Sequence, residues 1–365
     1  MTTSMPAATV LSNTSQRIRT EGSTLSDKFP LLITGLPGVP GFNSFFYFRK
    51  KYGAAVIGIK PAHTVELDYP GVYGISAEHE DALERLFATY KFKTVIDASG
   101  CCALKSCEYN APMAELVNCS FGTCISIAAQ KFGAQLIRFS TDLVFDGTGE
   151  GMYTEEHALS PITVYGKTMA RAEYAIVEQC PQTAILRIPL PMGPSLNGHA
   201  GAVDWIEHRF ARGKPATLYY DEVRSNLYIQ DILSVLEFFI DNFQPGIFHL
   251  GGPLPLSLYE IGQVINKLGN YPAALLNGCW RREAAPIPPR VGNVTMDSTN
   301  IMQILPSGTI QPWPLDEQYL PSGRDWHSVR TAPYPPSALK SALYGYNVEE
   351  DPTNPLHWYN RTDYI

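Results

Sequence analysis

Short apolar runs alternate with amphipathic stretches along the first half of the chain. Residues 30–33, 54–59, 94–98, 134–139 and 183–188 are too short for helices and lack the alternation of a half-solvated strand. They read as buried parallel strands. Residues 42–52, 80–90, 113–131 and a stretch within 161–178 lie between them and read as helices. The second of these places apolar residues at 82, 83, 86 and 87 with charges between, an amphipathic face. Strand and helix at this spacing predict an α/β fold whose parallel sheet is covered on both faces. Beyond Pro189 the regularity drops: helical stretches recur near 203–211, 229–242 and 257–268, with a short apolar run at 246–250.

The same pattern divides the chain. Residues 1–28 are rich in Ser and Thr with no apolar segment and read as a disordered tail, with an organelle transit peptide as the alternative. Residues 29–190 read as a doubly wound unit of the kind that binds nucleotides. Residues 191–305 read as a smaller, interleaved subdomain expected to face the substrate. Residues 306–365 are rich in Pro, Tyr and Trp, too aromatic for a free tail, and read as an extension that wraps the body or a neighbouring subunit.

Composition narrows the classes of function. The 365 residues are 45% hydrophobic and 17% charged, with a formal net charge of -7, as in a soluble globular protein. No dense Lys/Arg run is present, which argues against nucleic acid or an anionic membrane as partner. The seven cysteines are odd in number and not spaced with histidines as metal ligands. They read as reduced thiols in a cytoplasmic protein rather than as disulfides or a zinc site.

The first candidate chemistry is Thr34-Gly35-Leu36-Pro37-Gly38-Val39-Pro40-Gly41, between the first strand and the first helix. Gly35, Gly38 and Gly41 there permit a tight turn and a close approach of backbone to a pyrophosphate, with the helix N-terminus supplying donors. Pro37 and Pro40 bring no N–H, and a lost charge-assisted hydrogen bond costs roughly 1.5–3 kcal/mol. A packing role for the glycines is the alternative. Lys60 ends the second strand where an acidic residue would hold the ribose of NAD, and it suits a 2′-phosphate instead. Ala98 and Ser99, at the end of the third strand, complete the expected cofactor contacts.

The second is Phe139-Ser140-Thr141-Asp142-Leu143-Val144-Phe145-Asp146-Gly147, followed by Pro161-Ile162-Thr163-Val164-Tyr165-Gly166-Lys167. With Val117-Asn118, Leu186-Arg187-Ile188-Pro189 and Pro289-Arg290, these runs resemble the dTDP-4-dehydrorhamnose reductase subfamily of the extended short-chain dehydrogenase/reductases. The likeness covers roughly residues 30–305. It implies a Rossmann-type sheet, NADP or NAD as cofactor and a sugar nucleotide as substrate. It also implies Tyr165 as proton donor to a carbonyl oxygen, Thr141 as the hydroxyl that holds that oxygen, and Asn118 as a further catalytic residue. Asp142 and Arg224 would face the substrate, Arg224 pairing with a phosphate or a surface acid. The regulatory beta subunit of methionine adenosyltransferase is similar in the same stretches, so the resemblance also admits a protein partner or a homo-oligomer through the extension.

One position departs from the subfamily. The lysine implied four residues after the tyrosine is replaced by Met169, while Lys167 lies about 200° round the helix. Without an adjacent cation a tyrosine keeps a pKa near 10. Lys105, after the third strand, is a candidate replacement. Three readings stay open: a keto-sugar-nucleotide reductase, a catalytically impaired regulatory or scaffolding relative, and a changed reaction using the thiols at 101–107 in the same cleft.

Overall fold

A computed structural model describes residues 27–64, 67–196, 198, 201–330 and 332–344. Most of the expected tail and the end of the extension lie outside these residues. The central sheet has seven parallel strands: β1 (Leu31–Ile33), β2 (Val56–Lys60), β3 (Val72–Gly74), β4 (Thr94–Asp97), β5 (Gln135–Thr141), β6 (Thr183–Ile188) and β7 (Gly246–His249). Their spatial order is β7-β6-β5-β4-β1-β2-β3. This is the doubly wound Rossmann arrangement, and the strand order reverses between β1 and β4.

Helices cover both faces. On one, α1 (Val39–Tyr52) lies with the helix Ile229–Asp241, burying Phe45, Phe48, Val235 and Phe239 against β1, β5 and β6. On the other lie α2 (Glu80–Tyr90), α3 (residues 111–132) and α4 (Val164–Gln179), which bury Leu83, Phe87, Ile125 and Ile176. The helix α4 starts where Thr163 caps it, its hydroxyl accepting the Gly166 amide at 2.9 Å, as N-cap threonines do. The helix α3 is continuous except for a π turn at Leu116–Ser120, and such a turn leaves a carbonyl without its regular helical partner.

The expected second strand begins two residues late, because α1 ends at Gly53 with φ +53° and a single 3-10 turn intervenes. The fourth expected strand runs on through Thr141. The edge strand β3 was not expected; it has three residues, none of them buried, so it carries no apolar run.

A second apolar cluster lies beyond the sheet. It joins Val203, Phe210, Leu218, Ile261 and Ile265 to Trp313, Leu339 and Leu343 from the extension. The Trp313 indole donates to the Leu343 carbonyl at 3.2 Å, and Tyr228 donates to the Ala342 carbonyl at 3.1 Å. The extension through residue 344 therefore wraps its own chain's body and fills a core. Among the described residues no helix is long and apolar enough to cross a membrane.

Candidate active site

The carboxyl ends of β1, β4 and β5 bring the candidate residues to one edge of the sheet. In the glycine loop, Gly35 has φ +67°, and a Cβ there would stand 2.0 Å from the Ala98 carbonyl oxygen. A Cβ at Gly41 would stand 2.2 Å from the Gly35 oxygen. Both glycines are required by the chain's own packing. Gly38 differs: a Cβ there meets nothing nearer than 3.5 Å. The fold does not demand glycine at 38, so its lack of a side chain fits the close approach of an external group. Gly38 caps α1 without a side chain, and Pro40 occupies its first turn. Of the amides that helix geometry leaves unpaired there, Val39 and Gly41 remain as donors. The loop fits a pyrophosphate with one donor fewer than usual.

Lys60 stands at the end of β2 as expected, its ammonium donating to the Thr64 carbonyl. Ser99 is less available than expected. Its amide donates to Asp97 at 3.0 Å and its hydroxyl accepts from Arg138 at 2.9 Å.

Thr141 and Tyr165 come together. Thr141 is the last residue of β5 and Tyr165 lies in the first turn of α4, and the Thr141 hydroxyl acts on the Tyr165 phenol from there. The Thr141 hydroxyl also donates to Asp142 and accepts the Leu143 amide, each at 3.2 Å. Burial pushes the Tyr165 hydroxyl well above the ordinary phenol range; the neighbouring Cys102 raises it further, while Thr141 and the Arg138 charge oppose.

Three expectations are corrected by the contacts. Asn118 is fully buried with both ends of its amide engaged, accepting from the Cys101 amide at 2.6 Å and donating to Thr168 at 2.9 Å. These bonds tie the loop after β4 to α4. Arg224 and Asp142 are also buried, and they face each other in a two-pronged pair with both contacts at 2.6 Å. Each satisfies the other, so neither is a free substrate contact; Glu222 lies 3.5 Å from the same guanidinium. Lys105 is exposed with its ammonium 5.9 Å from the Tyr109 ring, and it does not replace the missing cation.

A cation does lie against position 169, and it is an arginine from the sheet. Arg138, 1% exposed on β5, donates to Asp97 at 2.6 Å and to the Asn118 carbonyl of the π turn at 3.0 Å. The nitrogen that reaches this carbonyl, Nη2, also stands 3.9 Å from the Met169 sulfur. Gly122 makes room for it, since a Cβ there would lie 3.3 Å from the guanidinium carbon. A buried ion pair of this kind needs every donor matched, and Ser99 and the Asn118 carbonyl complete the set. The sequence did carry a signal: an arginine inside an apolar strand requires a buried acid, and Asp97 ends a strand at a similar depth.

A second buried pair continues across the same face. Glu173 of α4 accepts from Arg187 at 2.7 Å and from Ser140, and Arg187 reaches His249 at 3.1 Å.

Comparison with known proteins places the chain in a family. Residues 55–314 match the model of the RmlD substrate binding domain. A probable low-salt glycan biosynthesis reductase of Haloferax volcanii is 23% identical over 246 residues, 67% of this chain and 81% of that protein. Methionine adenosyltransferase 2 subunit beta of Danio rerio is 30% identical over 166 residues, 44% of this chain and about half (51%) of that protein. Among solved structures, dTDP-4-dehydrorhamnose reductase from Bacillus anthracis in complex with NADP superposes with a TM-score of 0.61 at 17% identity, covering 87% of this chain and 99% of that one.

Proposed function

The chain belongs to the RmlD substrate binding domain family, and from that premise we propose that it binds NADP or NAD and reduces the carbonyl of a sugar nucleotide. The observation that carries this reading is the placement of Thr141 at the carboxyl end of β5 and of Tyr165 in the first turn of α4, where the one acts on the other's hydroxyl. The relatives named as reductases, and the one solved with NADP, support it.

In this reading the Gly38 backbone and the Val39 and Gly41 amides take the pyrophosphate, and Lys60 lies where a 2′-phosphate would sit. A bound reduced nicotinamide would supply hydride. Tyr165 gives its phenolic proton to the carbonyl oxygen, and Thr141 holds that oxygen by a hydrogen bond. The Asp142–Arg224 pair keeps the Thr141 end of β5 in place from beneath. Because burial holds the Tyr165 proton tightly, its transfer is less favourable than from an ordinary phenol, and turnover is slow.

A second reading is favoured by position 169. With Met169 and the buried, Asp97-paired Arg138 in place of a lysine, a protein that binds ligand without turnover would act as a regulatory subunit. The similarity to a methionine adenosyltransferase beta subunit supports this alternative.

Calorimetric titration with NADPH and with NADH, followed by a turnover assay on a 4-keto-sugar nucleotide, separates the readings. Micromolar binding with turnover that Tyr165→Phe abolishes supports the reductase. Binding without turnover supports the regulatory subunit, and no binding at millimolar dinucleotide removes hydride transfer altogether.

A further inference from the structure

The loop after β4 carries chemistry that the reductase reading does not use. Chain leaves the sheet at Asp97, passes Cys101 and Cys102, and turns back through the short helix Leu104–Tyr109. That return brings Cys107 under Cys101. The Cys107 thiol donates to the Cys101 carbonyl at 3.2 Å, which sets its sulfur against the Cys101 residue, and the two thiols influence each other electrostatically. Cys101 is half-exposed and Cys107 fully buried. The loop is fixed at this point because Asn118 holds the Cys101 amide at 2.6 Å.

We propose that Cys101 and Cys107 are an oxidisable thiol pair that closes to a disulfide when a small hydroperoxide reaches the rim of the cleft. The accessible sulfur reacts first. The Cys101 thiolate attacks the hydroperoxide oxygen, the O–O bond breaks, and its electrons leave with an alkoxide or hydroxide that takes up a proton. Cys101 is then a sulfenic acid. The Cys107 sulfur attacks it, the S–O bond breaks, and the departing hydroxide leaves as water with the Cys107 proton. Two thiols and one hydroperoxide become a disulfide, one alcohol or water and one water.

Local donors favour the first step. The Cys107 thiol and the Ala103 amide lower the Cys101 thiol below the ordinary range, against the effect of burial. An ordinary thiol near 8.5 is only a few per cent ionised at pH 7, so a lowered pKa raises the nucleophilic fraction. Cys119, Cys124 and Cys279 lack this arrangement: burial pushes them up, and the groups that act on them include no thiol.

The full-length reduced chain, given one equivalent of hydrogen peroxide at pH 7, then alkylated and digested with trypsin, tests the proposal. Lys105 separates the two cysteines, so the bridge appears as two linked peptides lighter by two hydrogens than their sum. We expect this pair to dominate the oxidised protein and to survive Cys102→Ser. Cys101→Ser should remove it, and Cys107→Ser should leave Cys101 as a sulfenic acid that dimedone traps. Oxidation spread over the cysteines without preference in the unmodified protein, or a bridge that fragmentation assigns to Cys102, would overturn it.

Discussion

Met169→Lys restores the residue that the resemblance implies, and the structure predicts that it damages the protein. Met169 is 3% exposed and its sulfur lies 3.9 Å from a guanidinium nitrogen of Arg138. Two like charges about 4 Å apart at an effective dielectric near 20 repel by about 4 kcal/mol. Asp97, on the far side of the guanidinium, returns part of this, and burial of the ammonium adds to it. The expected loss at pH 7 is about 2–4 kcal/mol, equivalent to lowering the lysine pKa by about 1.5–3 units. A lysine whose folded pKa is depressed costs stability fully below that pKa and nothing once the unfolded chain is also neutral. The deficit should therefore shrink between pH 7 and pH 10. Urea unfolding of both proteins across that range measures it. Arg138→Met alone leaves Asp97 buried without its charge partner, a loss of about 3–5 kcal/mol, while the double variant supplies Asp97 with a new cation. The two substitutions should thus be non-additive by more than about 1 kcal/mol. A Met169→Lys protein as stable as the parent at pH 7, or strict additivity in the cycle, would refute the account of Arg138.

Other outcomes follow from contacts described above. Gly38→Ala should fold normally and weaken dinucleotide binding in calorimetry, whereas Gly41→Ala, whose Cβ would stand 2.2 Å from the Gly35 oxygen, should lower the melting temperature even without ligand. Arg224→Met strands the Asp142 carboxylate and should cost about 3–5 kcal/mol in urea unfolding; Asp142→Asn combined with it should recover much of that loss. Burial pushes Asp204 up to about 6 and Glu207 up to about 7, where the helix Ala202–Ala211 meets Ser195, Lys340 and Tyr344. Both folded pKa values lie above the unfolded ones, so this contribution to stability is present at pH 4 and lost as pH rises to 7. Thermal melts should register that decline, and Glu207→Gln should flatten its upper part.

The sheet was legible because its strands are continuous apolar runs separated by helices of regular period. Strand β3 escaped because a three-residue edge strand with no buried position leaves no such run. The pairing of Thr141 with Tyr165 followed from the motif that contains them. The roles of Asn118, Asp142 and Arg224 did not, since a polar residue at a strand end or inside a helix reads alike whether it turns to a ligand or to the interior. Only their partners decide, and those are 82 residues away for Asp142 and Arg224. Arg138 is the sharpest case. A strand residue paired with Asp97 across the sheet also touches α4, so its meaning lay in three segments at once.

The placement of Trp313, Leu339 and Leu343 in one cluster with Val203, Ile261 and Leu268 bears on how the chain is made. The seven strands of the main sheet are all synthesised by residue 249. The second core must wait for the extension. Roughly 75 residues separate Leu268 from Leu343, so at about 5–20 residues per second a ribosome leaves that apolar surface uncovered for about 4–15 s. During that interval the uncovered surface is open to aggregation, and a chain truncated after residue 305 would leave it uncovered.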